Sequence, residues 1–205
     1  MSHCECHQSA RNAAEVRILS IALALNALMA VVEGAAGWWA DSASLLADAL
    51  DMLSDATAYG IGLVAIGRAA AFKRKAASLS GVLLLILGAG MLAEVYRRFG
   101  AGSEPRGMGI VLTACVALAV NVTVLRLLRP FRAGEVHLRA TWIFTRADVV
   151  VNIGVIISGA IVLATGWRYA DLIVGVLIAL YVCKEALEIL STTSNDAGGD
   201  PSVAR

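Results

Sequence analysis

Six apolar blocks, at about 18–40, 42–67, 77–97, 108–128, 140–165 and 170–190, take up most of the 205-residue chain. Each reaches or approaches the roughly 20 residues that an α-helix needs to cross the hydrocarbon core of a bilayer. Water is absent there, so a spanning backbone must satisfy its own N–H and C=O groups, and irregular segments cannot face lipid. The blocks are therefore read as one all-α, six-helix transmembrane bundle over 16–190, between an N-terminal tail over 1–15 and a disordered C-terminal tail over 191–205. Composition argues the same way: 59% of the residues are hydrophobic and 16% charged, where a soluble domain has about half and a quarter.

The charges select an orientation. With both termini in the cytoplasm, the loop between helices 2 and 3 carries Arg68, Lys73, Arg74 and Lys75 on the inside. The loop between helices 4 and 5 adds Arg129, Arg132 and Arg139, with Arg126 just inside helix 4. The opposite loops hold Asp41, then Arg97, Arg98 and Arg106 set against Glu94 and Glu104, then Arg168. This bias gives N-in, C-in and a multi-pass protein of the bacterial inner membrane. Basic residues at membrane edges, not on one face, exclude a nucleic-acid partner. The first apolar block is too long for the core of a cleaved signal peptide, and no strongly basic segment precedes it. Cys115 and Cys183 fall inside helices and read as small packing residues.

Within this apolar background, Asp48, Asp51 and Asp55 stand three and four residues apart in helix 2. At helical pitch that spacing puts three carboxylates on one stripe. A carboxylate in a bilayer costs at least ~2.5 kcal/mol, and three together also repel one another. The stripe is tolerable if it faces a watery cavity and shares a cation or protons, which indicates an ion pathway. Helix 5 offers a second constellation, Asp148 and Asn152, four residues apart, with Phe144 one turn earlier on the same face. If helices 2 and 5 are neighbours, Asp51, Asp55 and Asp148 supply three oxygen donors to one metal. Asn152 then adds either a fourth oxygen or an outer hydrogen bond. A divalent cation relieves the repulsion among the acids and protons compete with it, which is the physical basis of proton-coupled exchange.

Residues 26–59 resemble the first two helices of the cation diffusion facilitators, through Asn26, Glu33, Gly37, the run Ser42-x-Ser44-Leu-Leu-Ala-Asp48-Ala and the pair Asp51-x-x-x-Asp55. The resemblance continues in Asn121, His137-Leu-Arg, Asp148-Val-Val-Val-Asn152, Gly166-Trp-x-x-Ala-Asp171 and Glu185-Ala-Leu-Glu-Ile-Leu190, covering about residues 15–190. It implies a proton antiporter that exports a divalent metal by alternating access, as a homodimer embedded in lipid. Zinc is the first choice of cargo, with cadmium, cobalt, nickel, iron(II) or manganese as alternatives. Neither a resident cofactor nor an enzymatic step is implied. In that family the central site takes a His or Asp plus an Asp from helix 2 and the same pattern from helix 5. Carried onto this chain, those positions are Asp51, Asp55, Phe144 and Asp148.

Phe144 departs from that pattern, because a phenyl ring cannot bind a metal. Without imidazole the site is all-oxygen, which favours manganese, iron(II) or magnesium more than a histidine site does, although zinc also accepts carboxylates. A second departure concerns length. Family members commonly carry a cytoplasmic domain of about 80 residues after helix 6, and this sequence stops at Arg205. On this reading any homodimer is held by membrane helices.

The N-terminal His3, Cys4, Cys6 and His7 form a candidate tail site that captures a soft or borderline metal and hands it to the membrane site. Asp48 is read as an outer hydrogen-bond partner of the ligands, and Glu33 as a structural hydrogen-bond partner. Arg146 is read as pairing with Asp171 or Glu33, or as lining the water cavity. Trp38 and Trp39 read as an interfacial anchor. Intramembrane proteases and CDP-alcohol phosphotransferases also place acids in membrane helices. Here the Gly-x-Gly-Asp setting of the first and the Gly-x-x-Ala-Arg element of the second are missing. The serious rival is a non-transporting, metal-binding or regulatory membrane protein of the same fold.

Overall fold

The computed structural model describes residues 2–64, 70–129 and 136–198. Six helices follow one another: α1 (Ser2–Trp39), α2 (Ala43–Val64), α3 (Ala70–Ala101), α4 (Gly107–Leu128), α5 (Val136–Thr165) and α6 (Tyr169–Gly198). Long runs of Leu, Ala, Val and Ile make them, and the breaks fall where the backbone turns over. Asp41 (φ 51°), Gly102 (φ 94°) and Gly166 (φ 68°) adopt left-handed backbone at the three tight connections on the side away from the termini. Glycine enters that region freely, and Asp is among the few other residues that do so at modest cost.

Among the described residues, four helical segments are long and apolar enough to cross a membrane: Val16–Trp39, Arg74–Ala101, Gly107–Leu128 and Thr145–Thr165. The other two, α2 and α6, carry charge along their length, with Asp48, Asp51 and Asp55 in one and Asp171, Lys184, Glu185, Glu188 and Asp196 in the other. The packing protects them. The α2 helix is surrounded by α1, α3, α5 and α6, while α1 also meets α4, α4 meets α5, and α6 lies between α3 and α5.

Burial runs opposite to that of a soluble protein. Leu28, Val31, Leu79, Ile86, Leu112, Val150 and Leu177 are all exposed, whereas Asn26, Glu33, Asp48, Asn121, Asn152 and Asp171 are fully buried. An apolar exterior, with the ionisable groups drawn inside among apolar core residues such as Leu45, Met52, Ile110 and Val155, is the arrangement that lipid as solvent demands. Small residues let the helices approach closely. A Cβ on Gly107 would lie 2.5 Å from the backbone nitrogen of Leu163, and one on Gly175 would lie 2.9 Å from the carbonyl carbon of Ala43.

At both ends the helical backbone runs beyond the limits expected from hydropathy. The α1 helix already includes the segment from Ser2 to residue 15, where Ala, Gln, Arg and Glu are good helix formers. The α6 helix passes residue 190 and continues to Gly198. There the hydroxyls of Ser191 and Thr192 donate to the Glu188 carbonyl and that of Thr193 to the Leu190 carbonyl, so polar side chains satisfy themselves within the helix. Residues 199–205 of the expected tail lie outside the described residues.

Candidate metal centre

The site begins with how α2 is held. Asp171, in the first turn of α6, reaches across to the start of α2 and is fully buried. One of its oxygens accepts from the Ser42 and Ser44 hydroxyls, each at 2.6 Å, and from the Ser44 amide at 3.2 Å; the other accepts from the Ala43 amide at 2.6 Å. The free N–H groups of α2 thus meet a full negative charge, a cap supplied by another helix. Asp171 is therefore occupied at α2, and Arg146, one of whose expected partners it was, is exposed on α5.

Along α2 the three aspartates meet different surroundings. Asp48 is fully buried, and neither of its carboxyl oxygens has a donor. Its neighbour is Glu33 of α1, within hydrogen-bonding reach, whose two oxygens are equally without a donor. Asp51 is 2% exposed and keeps one oxygen unpartnered. Asp55 is half-buried, within hydrogen-bonding reach of Asp148 and 3.5 Å from the Tyr59 hydroxyl.

Helices α2 and α5 do meet, as the three-donor reading requires. Tyr59 Oη lies 3.0 Å from Thr145 Oγ1, one turn before Asp148, and this contact fixes the register between the two helices. Asp148 is 2% exposed with an orphaned oxygen. Asn152 is fully buried; its amide nitrogen donates to the Asp148 carbonyl at 3.0 Å, and its Oδ1 has no partner. The structure therefore brings Asp51, Asp55 and Asp148 into one neighbourhood with the Asn152 oxygen free. Among the described residues, no group of three His, Cys, Asp or Glu side chains converges into a closed metal cluster in this conformation. The side chains of Phe144, His3, Cys4, Cys6 and His7 lie outside the described residues.

The two sides of the bundle differ. Towards the chain termini, a cavity of about 400 Å³ is lined by Ser54, Asp55, Ala77, Glu185, Ile189 and Thr192, among others. Away from the termini, the buried Arg98 donates to the carbonyl and carboxylate of Asp41 and, at 2.8 Å, to Glu94, while the Glu104 amide donates to Asp41 at 2.7 Å. Arg106 stacks over Trp39, 4.6 Å from the ring centroid, and Trp38 and Trp39 are largely exposed, as an interfacial belt requires.

Two residues that motif spacing gave no site role belong to this neighbourhood. Tyr59 carries a weak signal, four residues after Asp55 and on its face. Glu185 of α6 is signalled by its place in the Glu185-Ala-Leu-Glu-Ile-Leu190 run and by being an acid in an apolar helix, and only the fold reveals what it faces.

The model of the cation efflux transmembrane domain matches residues 19–196. This chain belongs to the cation efflux, or cation diffusion facilitator, family, and it is an integral, multi-pass membrane protein. It is 28% identical over 191 residues to the metal cation efflux system protein CzcD of Cupriavidus metallidurans, covering 87% of this chain and 60% of the relative. It is 27% identical over 197 residues to the zinc transporter ZitB of Yersinia pestis, covering 87% and 61%. To the cadmium, cobalt and zinc/H(+)-K(+) antiporter of Bacillus velezensis it is 24% identical over 205 residues, covering 92% and 64%. The chain thus spans about three-fifths of the length of these relatives.

Proposed function

We propose that this chain exports a divalent metal cation, zinc in the first place, from the cytoplasm in exchange for protons. The observation that carries the reading is a set of buried carboxylates with orphaned oxygens, Asp51 and Asp148, beside Asp55 at the wall of an open cavity. A charge so placed is costly unless something neutralises it, and a divalent cation or protons are the two candidates of matching chemistry. Relatives named for metal cation efflux and zinc transport support the cargo.

The mechanism follows from the geometry. With both termini in the cytoplasm, the cavity beside Asp55 opens inward, and a cation sheds its water there against carboxylate oxygens. Asp51, Asp55 and Asp148 bind it, and Asn152 Oδ1 supplies a fourth oxygen or holds a bound water. Protons leave the acids as the metal arrives and return as it departs. On the far side a second cavity of about 470 Å³ reaches Leu46 and Leu50 past the Asp41–Arg98–Glu94 cluster, and release requires the bundle to connect it to the carboxylates. A homodimer through membrane helices at the bacterial inner membrane completes the reading.

The test is metal-dependent flux in proteoliposomes under a pH gradient, screened over zinc, cadmium, cobalt, nickel, manganese and iron(II). Flux that requires the gradient and disappears in Asp55→Ala, with the variant folded and inserted, is the expected result. Undiminished flux in that variant sinks the site assignment. Retained metal binding with no flux for any cation would identify the non-transporting reading instead.

A further inference from the structure

We propose that Glu185 of α6 is a fourth metal-binding carboxylate, the one that meets the cation first and shares it with Asp55. This rests on the transport reading above and adds to it a residue from a third helix. Glu185 is half-buried and lines the same cavity as Asp55, and no other acid of the inner set has that position. Ser54, the residue before Asp55, donates its hydroxyl to Glu185 at 3.3 Å, which ties the α6 carboxylate to the α2 stripe. The Ser54 hydroxyl orients the carboxylate and leaves it further lone pairs, since each carboxylate oxygen accepts more than one bond.

The neighbouring Lys184 is exposed and lies 3.4 Å from Glu188, one turn further on. Asp55 and Glu185 stand at the cavity wall, and Asp51 lies one turn before Asp55 on α2. Acids alone do not make a site, but here Asp51 Oδ2 and Asp148 Oδ2 are buried without any donor. Buried acceptors without donors, opposite a carboxylate that water can reach, have the form of a cation site entered from one side. Asp51, Asp55, Asp148 and Glu185 supply an all-oxygen set suited to a divalent cation, and Glu185 provides the fourth anionic donor that Phe144 cannot.

The experiment is equilibrium binding of zinc to the purified full chain in detergent, comparing Glu185→Gln, Glu188→Gln and Asp55→Asn with the parent. Glu185→Gln is expected to raise the Kd for zinc about 10-fold or more, with Glu188→Gln within about 2-fold of the parent. Glu188 lines the same cavity from an exposed position, so it reports the general field alone. If Glu188→Gln weakens binding as much as Glu185→Gln does, a diffuse charge effect replaces the ligand role and the proposal falls. If Asp55→Asn loses zinc while Glu185→Gln keeps the parent affinity, Glu185 is not a ligand and the transport reading stands. If Asp55→Asn also binds as the parent does, the site reading fails and this proposal fails with it. Glu185→Cys gives a readout that a purely structural role would not move. A thiolate donor should raise the preference for cadmium over zinc about 10-fold, and an unchanged cadmium-to-zinc ratio overturns the assignment even if the glutamine variant is unstable.

Discussion

Asp48, Asp51 and Asp55 share one stripe of α2 but not one environment. Asp48 faces Glu33 with all four carboxyl oxygens lacking donors, deep between α1 and α2. Asp55 reaches the cavity and the Tyr59 hydroxyl, and Asp51 lies between the two regimes. The proposed ligand set therefore takes Asp51 and Asp55 with Asp148 and keeps Asp48 as an outer partner. One turn before Asp148 on α5 the chain places Phe144, where the family pattern has a ligand. Phe144→His is expected to tighten zinc binding about 10-fold, because imidazole nitrogen is a stronger zinc donor than a carboxylate or water. Calorimetric titration in detergent checks this, and an unchanged affinity would show that residue 144 does not face the metal.

At the scale of the element, α2 is a charged helix made tolerable by enclosure. Four other helices surround it, and its first turn is capped from outside by Asp171. Its only serine donors at that end, Ser42 and Ser44, converge on the same carboxylate, so the cap works as a rivet between α2 and α6. Removing it leaves two hydroxyls and two amides of a buried helix end without their acceptor. Asp171→Ala should cost on the order of 3 kcal/mol. For a chain of this size that corresponds to a fall in unfolding midpoint of about 6–12 °C. Thermal unfolding in detergent measures it, and a shift under about 2 °C would mean that the cap contributes little. The glycines support the same packing from the other side: with Gly175 beside Ala43, α6 touches the α2 backbone itself.

For the whole molecule, the informative contrast lies between the two mouths. One is a cavity beside Asp55 and Glu185; the other is a cavity of about 470 Å³ lined by Asp41, Leu46, Leu50, Glu94 and Arg98, with Arg98 held between Asp41 and Glu94. With the cytoplasm on the side of the termini, the carboxylate-lined cavity faces inward and the cavity beside Arg98 faces outward. Single cysteines at Ser191 and Glu104, in a chain whose four native cysteines are replaced by serine, test that orientation. In intact cells an impermeant maleimide should label Glu104→Cys and spare Ser191→Cys. The reverse pattern would invert the assignment and turn the proposed export into import.

The sequence by itself determined the six helices and their membrane setting, because lipid permits only helices where long apolar blocks recur. It also placed Asp51, Asp55, Asp148 and Asn152 on matching helix faces, because a three-four spacing survives in any α-helix. Spacing along one helix carries no information about which face of another helix it meets. Only the tertiary structure decided that Asp171 belongs to the start of α2, that Asp48 faces Glu33, and that Tyr59 meets Thr145. The same holds for Glu185, a motif acid given no site role until packing set α6 beside the α2 stripe. The ends of α1 and α6 escaped hydropathy for a related reason: polar residues continue a helix when their own side chains and good helix propensity satisfy it, and hydropathy records neither.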